Sequence, residues 1–199
     1  MKKKLIALTT VGALLISTSV FASTYTVLKG DSMWKIAVKF QTGLSEIISA
    51  NPQISNPALI YPNQKITIPE KNTQVQNYEM QVVNLVNSER AKQGLGALAN
   101  NWELQRVAET KARDLTDKNY FSHTSPTYGS PFDMMKSFGI KYSSAGENIA
   151  KGQRTPQEVM TAWMNSSGHR ANILNSSYTQ IGVGYDSRSN SWVQMFIRP

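Results

Sequence analysis

Glu70-Lys71-Asn72-Thr73-Gln74-Val75-Gln76-Asn77 is a polar run with one apolar residue, and it divides the chain more sharply than any other stretch. A run of that kind cannot carry a buried layer, so it reads as a linker, and each flanking block must build its own core. The chain has 199 residues, which leaves about 120 for the second block and fewer than 50 for a first block starting near Thr24. No block can be held by disulfides, because the chain contains no cysteine. The same absence removes thiol nucleophiles, Cys-ligated zinc and iron–sulfur clusters. Two histidines, His123 and His169, carry whatever imidazole chemistry there is.

The N-terminus has the pattern of an export signal. Met1-Lys2-Lys3-Lys4 is a basic start, Leu5 to Phe21 is apolar with interspersed Ser and Thr, and Val20-Phe21-Ala22 offers small residues at a cleavage site. Removal of residues 1–22 takes three lysines and no acid, lowering the formal charge of +8 to +5. The protein is therefore expected outside the membrane, secreted or associated with the cell wall, without a stable membrane anchor after cleavage. So modest a charge gives no reason to expect nucleic acid as a partner.

The first block, residues 23–69, reads as strand, helix, helix, strand. Tyr25-Thr26-Val27-Leu28 alternates as a strand, Gly30-Asp31 turns, and Trp34, Ile36, Ala37 and Phe40 share one helical face. That spacing favours Trp34 and Phe40 as core residues, with sugar contact as the alternative. Asp31 can cap the first helix, Ser45 the second, and Ile66-Thr67-Ile68 closes the block. The segments Tyr25 to Ala37, Ile48 to Ile54 and Ile60 to Pro69 resemble, in order and over the whole block, a LysM module. The resemblance implies binding of peptidoglycan or another N-acetylglucosamine polymer between two loops. In this chain those loops supply Gly30, Asp31, Ser32 and Met33 on one side and Asn51, Pro52, Gln53, Ile54, Ile60 and Tyr61 on the other. Backbone groups would read the acetamide while Met33, Ile54 and Ile60 cover the sugar face.

The second block, residues 78–199, starts with helical patterns at Val82 to Arg90 and Asn101 to Lys118. A third helix is announced by Thr155, Pro156 and Glu158 in capping positions. Ile181 to Tyr185 and Trp192 to Ile197 flank a turn-rich stretch and read as a hairpin, giving an α+β class overall. Chemistry-bearing residues fall in three segments: Asn119 to Pro126 with His123, Gly146 to Ala150 with Glu147, and Gly168 to Leu174 with His169. Two imidazoles and a carboxylate can form an open metal site, or the histidines can simply hydrogen-bond in loops.

These segments, with Ala162 to Arg170 and the terminal hairpin, resemble the CAP superfamily, the SCP or PR-1-like domain, in a cysteine-free form. The resemblance implies an α-β-α sandwich with a central cleft. His123, Glu147 and His169 take three of the cleft positions that in some members hold a divalent metal, typically zinc. The fourth acidic position is Ser166 here; Asp133 could replace it in space or serve only as a helix-start residue. Three functions follow: a LysM-tethered wall protein whose CAP domain binds a ligand, a zinc-dependent hydrolase of wall peptide or glycan with His123, Glu147 and His169 as catalytic groups, or a lipid- or sterol-binding domain.

Overall fold

The computed structural model describes residues 22–199. The export signal expected at residues 1–22 lies outside the described residues, apart from Ala22. Among the described residues no helix is long and apolar enough to cross a membrane.

The first module is β1 (Ala22–Thr26), α1 (Met33–Lys39), α2 (Leu44–Ser49) and β2 (Lys65–Pro69), with β1 and β2 antiparallel from Ala22↔Pro69 to Thr26↔Lys65. Its strand therefore starts earlier than the Tyr25–Leu28 pattern suggested, because pairing with β2 extends it backward. Val27, Met33, Ile36, Ala37, Ile47, Ile66 and Ile68 form the core, with Phe40, Ile54 and Ile60 packed against it. Two capping expectations change. Ser32, not Asp31, caps α1 by accepting from Lys35 N, and Gly43 stands at the start of α2 while the Ser45 hydroxyl donates to Glu46. Asp31 instead closes the turn, accepting from Leu28 N and from Tyr25 OH, beside Gly30 at φ +89°. Trp34 is corrected too: it is 55% exposed, because it lies about 100° around α1 from Met33, off the face that buries Met33, Ile36 and Ala37.

The polar run is shorter as a linker than expected. Asn72 accepts from Gln74 N and Val75 N and caps α3 (Thr73–Lys92), so residues 73–77 are the first turns of a helix. The second module continues with β3 (Ala99–Asn100), α4 (Trp102–Asp117), α5 (Pro131–Ser137), β4 (Ser144–Lys151), α6 (Pro156–Met164), α7 (Ser167–Ile173), β5 (Gln180–Asp186) and β6 (Ser191–Arg198). The sheet order is β3-β5-β6-β4, with β3 parallel and the other pairs antiparallel.

Alternation along β6 explains the three layers. Trp192 and Phe196 face a core shared with Val82 and Val86 of α3, Met160 and Trp163 of α6 and Ile173 of α7. Val193, Met195 and Ile197 face Leu104, Val107, Ala108 and Leu115 of α4 and Met134 and Met135 of α5. On the α4 side β5 presents Gly182 and Gly184, where a Cβ would stand 2.3 Å from Gln105 N and 2.2 Å from Ala108 C. Only glycine lets helix backbone and strand backbone approach this closely.

The candidate histidine cleft

His123 is placed by α4. Lys111, fully buried, donates from Nζ to the carbonyls of Ser122 and His123 and to Tyr120 OH, each at 2.9 Å. Tyr120 OH in turn donates to Asp114, which also accepts from Ser125 Oγ and Thr127 Oγ1. Burial pushes the Lys111 ammonium down while Glu147 and Asp114 pull it back up. One helix thus fixes the loop at 120–127 through a lysine and an aspartate one turn apart.

Glu147 lies on β4, the sheet's outer strand, with its side chain 1% exposed. Its Oε1 accepts from His123 Nδ1 at 2.7 Å, while Oε2 is buried without a hydrogen-bond partner. This bond, assisted by the carboxylate charge, raises the His123 pKa against a smaller lowering from burial. His169 rides on α7, whose position is fixed by amides. Asn172 Nδ2 donates to Glu147 O and Asn148 Oδ1, and Asn148 Nδ2 donates to His169 O. Arg90, buried, donates to Ile173 O and Asn175 O at the end of α7 and to Gly96 O. Burial first, and His123 second, lower the His169 pKa.

The two imidazoles, from opposite layers, line one cavity of about 550 Å³ together with Phe121, Ile149, Ala162 and Trp163. Their pKa values are pushed apart, which disposes His123 to be the cation and His169 the neutral base or acceptor. Trp163 Nε1 donates to Ile149 O and makes part of the cleft wall.

As a metal centre the donor set falls short. Among the described residues no three His, Asp or Glu side chains are arranged to hold an ion. His123 Nδ1 is taken by Glu147 Oε1, which leaves Nε2 of His123, the His169 ring and the unpartnered Glu147 Oε2 as donors, and these are not gathered around one point as the three protein ligands of a zinc site are. Asp133 supplies no fourth donor: it forms a reciprocal capping box with Ser130 at the start of α5. Ser166 lines the cavity as the residue preceding α7.

In the first module the structure sorts the expected sugar contacts. Met33 is 3% exposed in the core, so its side chain does not cover a sugar face, and the Asn51 side chain is spent on Ile47 O, Thr67 O and Thr67 N, which leaves that residue its backbone groups. Gln53 donates to Asn51 Oδ1. Ile54 and Ile60 are half-buried against the same core as Met33, and Tyr61 is 59% exposed. Gly30, Asp31 and Ser32 form the facing turn, and Pro52 is exposed in the second loop. Exposed Leu59, which the sequence patterns did not single out, and Trp34, whose helical spacing favoured the core over its alternative of sugar contact, flank these loops in sequence.

A small βααβ module followed by a three-layer α-β-α sandwich with a histidine–carboxylate cleft defines a two-module class of protein. The chain belongs to the cysteine-rich secretory protein family, CAP, whose model matches residues 83–196, and a LysM domain matches residues 25–69. It is 62% identical over 123 residues to the uncharacterized protein YkwD of Bacillus subtilis, covering 62% of this chain and 48% of that one. A 49-residue match at 47% identity, 25% of this chain and 13% of the other, is to the SpoIVD-associated factor A of Bacillus subtilis. The crystal structure of an extracellular protein containing a SCP domain from Bacillus anthracis superposes with TM-score 0.61 at 33% identity, over 69% of this chain and 47% of that one. The chain thus spans about half or less of the length of these relatives.

Proposed function

We propose that the protein is a secreted wall-binding protein that attaches to N-acetylglucosamine polymers such as peptidoglycan through its LysM module and displays the CAP cleft as a ligand site. The observation that carries this reading is the LysM match over residues 25–69, with a turn at Gly30–Ser32 and half-buried Ile54 and Ile60 on the opposing loop. Attachment rests on the glycan loops; the +5 left by signal removal contributes little.

In the cleft, Glu147 holds the His123 ring with Nδ1 as donor, leaving Nε2 to meet a ligand, and neutral His169 offers a second contact. Among the described residues no three donors are gathered around one point, which favours ligand binding over the alternative of a zinc hydrolase. The test is sedimentation of the full chain with purified peptidoglycan, compared with a chain lacking residues 23–69. Loss of co-sedimentation on deletion is expected. Retention of the remaining CAP block on the wall would overturn the assignment of binding to LysM.

A further inference from the structure

Where the two modules meet, a cavity of about 490 Å³ opens between the far side of the LysM module and the α3 and α4 helices of the CAP module. None of the loop residues 30–33 or 51–61 lines it. Its volume falls in the range of about 300–1,000 Å³ typical of small-ligand sites, which favour domain junctions.

Its chemistry is selective. Phe40 from one module and Trp102 and Met80 from the other supply apolar faces. Around them stand side-chain amides: Gln41, Gln76, Asn77 and Gln105. Gln41, Gln76 and Asn77 make no side-chain hydrogen bond among the described residues. Gln41, at φ +48°, is the left-handed residue that ends α1, and it lines the junction. The cation at the rim, Lys71, is consumed by Glu109 at 2.7 Å. Among the described residues Lys71 is the one side-chain cation lining the junction, and Glu70 adds a carboxylate, so the junction offers paired donors and acceptors and flat apolar faces with no unpaired side-chain cation for a phosphate or carboxylate. That combination suits a neutral ligand rich in hydroxyl and amide groups whose rings have one apolar face.

We propose that this junction is a second saccharide site, taking an N-acetylated oligosaccharide between the modules, with Trp102 as the stacking face and Gln41, Gln76 and Asn77 as hydrogen-bonding partners. A ligand there touches both modules, so it would hold them in one arrangement. The proposal extends the glycan-binding reading, and the two are separable because they use different surfaces.

The experiment titrates the full chain with N-acetylated chitotetraose and reads amide exchange by mass spectrometry alongside calorimetric stoichiometry. Protection at both 51–61 and 73–80 with 100–105, and two saccharides per chain, is the expected result. Trp102→Ala and, independently, Asn77→Trp, which fills the cavity from an exposed helical position, should remove protection at 73–80 and 100–105 and leave one saccharide at 51–61. Protection confined to the LysM loops, or junction protection unchanged in both variants, overturns the proposal. Junction protection without any at 51–61 would sustain it while refuting the LysM assignment.

Discussion

Gly184→Ala measures how rigidly the α4 layer is set. An alanine Cβ there would meet Ala108 C and Glu109 N at 2.2 Å and Ala108 O at 2.4 Å, whereas ordinary contact begins at 3.4 Å. Helix and strand must therefore separate by about 1.2 Å, a distance close-packed layers do not absorb. The obstacle is backbone, which has no rotamer with which to escape. Separation would lift Leu104, Val107, Ala108 and Leu115 from the shared core. Overpacking costs ~1–3 kcal/mol in general, and the backbone clash places this substitution at about 3 kcal/mol. At about 4 °C per kcal/mol for a domain of this size, Tm should fall by about 12 °C by scanning calorimetry. Because Lys111 sits one turn beyond Ala108, exchange of the amides at 122–124 should accelerate in the same variant. Gly168→Ala is the control: nothing lies within 4 Å of its Cβ on α7, so it should be neutral or stabilising by up to ~1 kcal/mol. A Gly184→Ala protein melting within about 2 °C of the parent would refute the close-approach argument.

Three further outcomes are expected. Burial first, and the Glu109 charge second, push the Glu79 carboxyl up to about 8. Above pH 4.5 the unfolded chain releases this proton while the folded chain keeps it, so stability should decline between about pH 4.5 and 8. Glu79→Gln should remove most of that decline, read as Tm against pH, and an unchanged slope would contradict the assignment. Arg90→Leu strands the carbonyls of Gly96, Ile173 and Asn175 and should cost about 3 kcal/mol in urea unfolding, with Arg90→Lys recovering only part. Lys111→Met keeps the apolar stem but removes three donated hydrogen bonds, so amide exchange at 120–124 should rise at least about tenfold. Equal protection in that variant would show that the loop holds itself.

Periodicity and capping chemistry made much of this molecule legible. Thr155 caps α6 as its position indicates, α4 starts at Asn101 where its pattern does, and β5 and β6 form the terminal hairpin. What escaped was stabilised by tertiary contact. Ser144–Lys151 contains a single β-branched residue and two adjacent polar ones, yet it is a strand because β6 pairs with it, Asn148 bonds buried Gln194 and Glu147 bonds His123. α7 has only seven residues and no side-chain cap, and it depends on Arg90 some eighty residues earlier. Thr73–Asn77 looked like linker because the first turns of α3 are exposed, which hides a helix whose buried face starts later. The cleft residues were visible as the chain's two histidines, joined to Glu147 by the family resemblance because no local spacing links the three. Their supporting Lys111 was not, since a lysine in an amphipathic helix is ordinarily read as solvent-facing.

His123 is tied to the α4 layer by Lys111, and His169 to the opposite layer by Asn148 and Arg90 through α7. The separation of the two rings is therefore a gauge of how the outer layers are registered across the sheet. A ligand bridging them would act as a clamp on the whole sandwich, and any slip of one layer would be felt first as a change in grip at the cleft, well before the domain lost its fold.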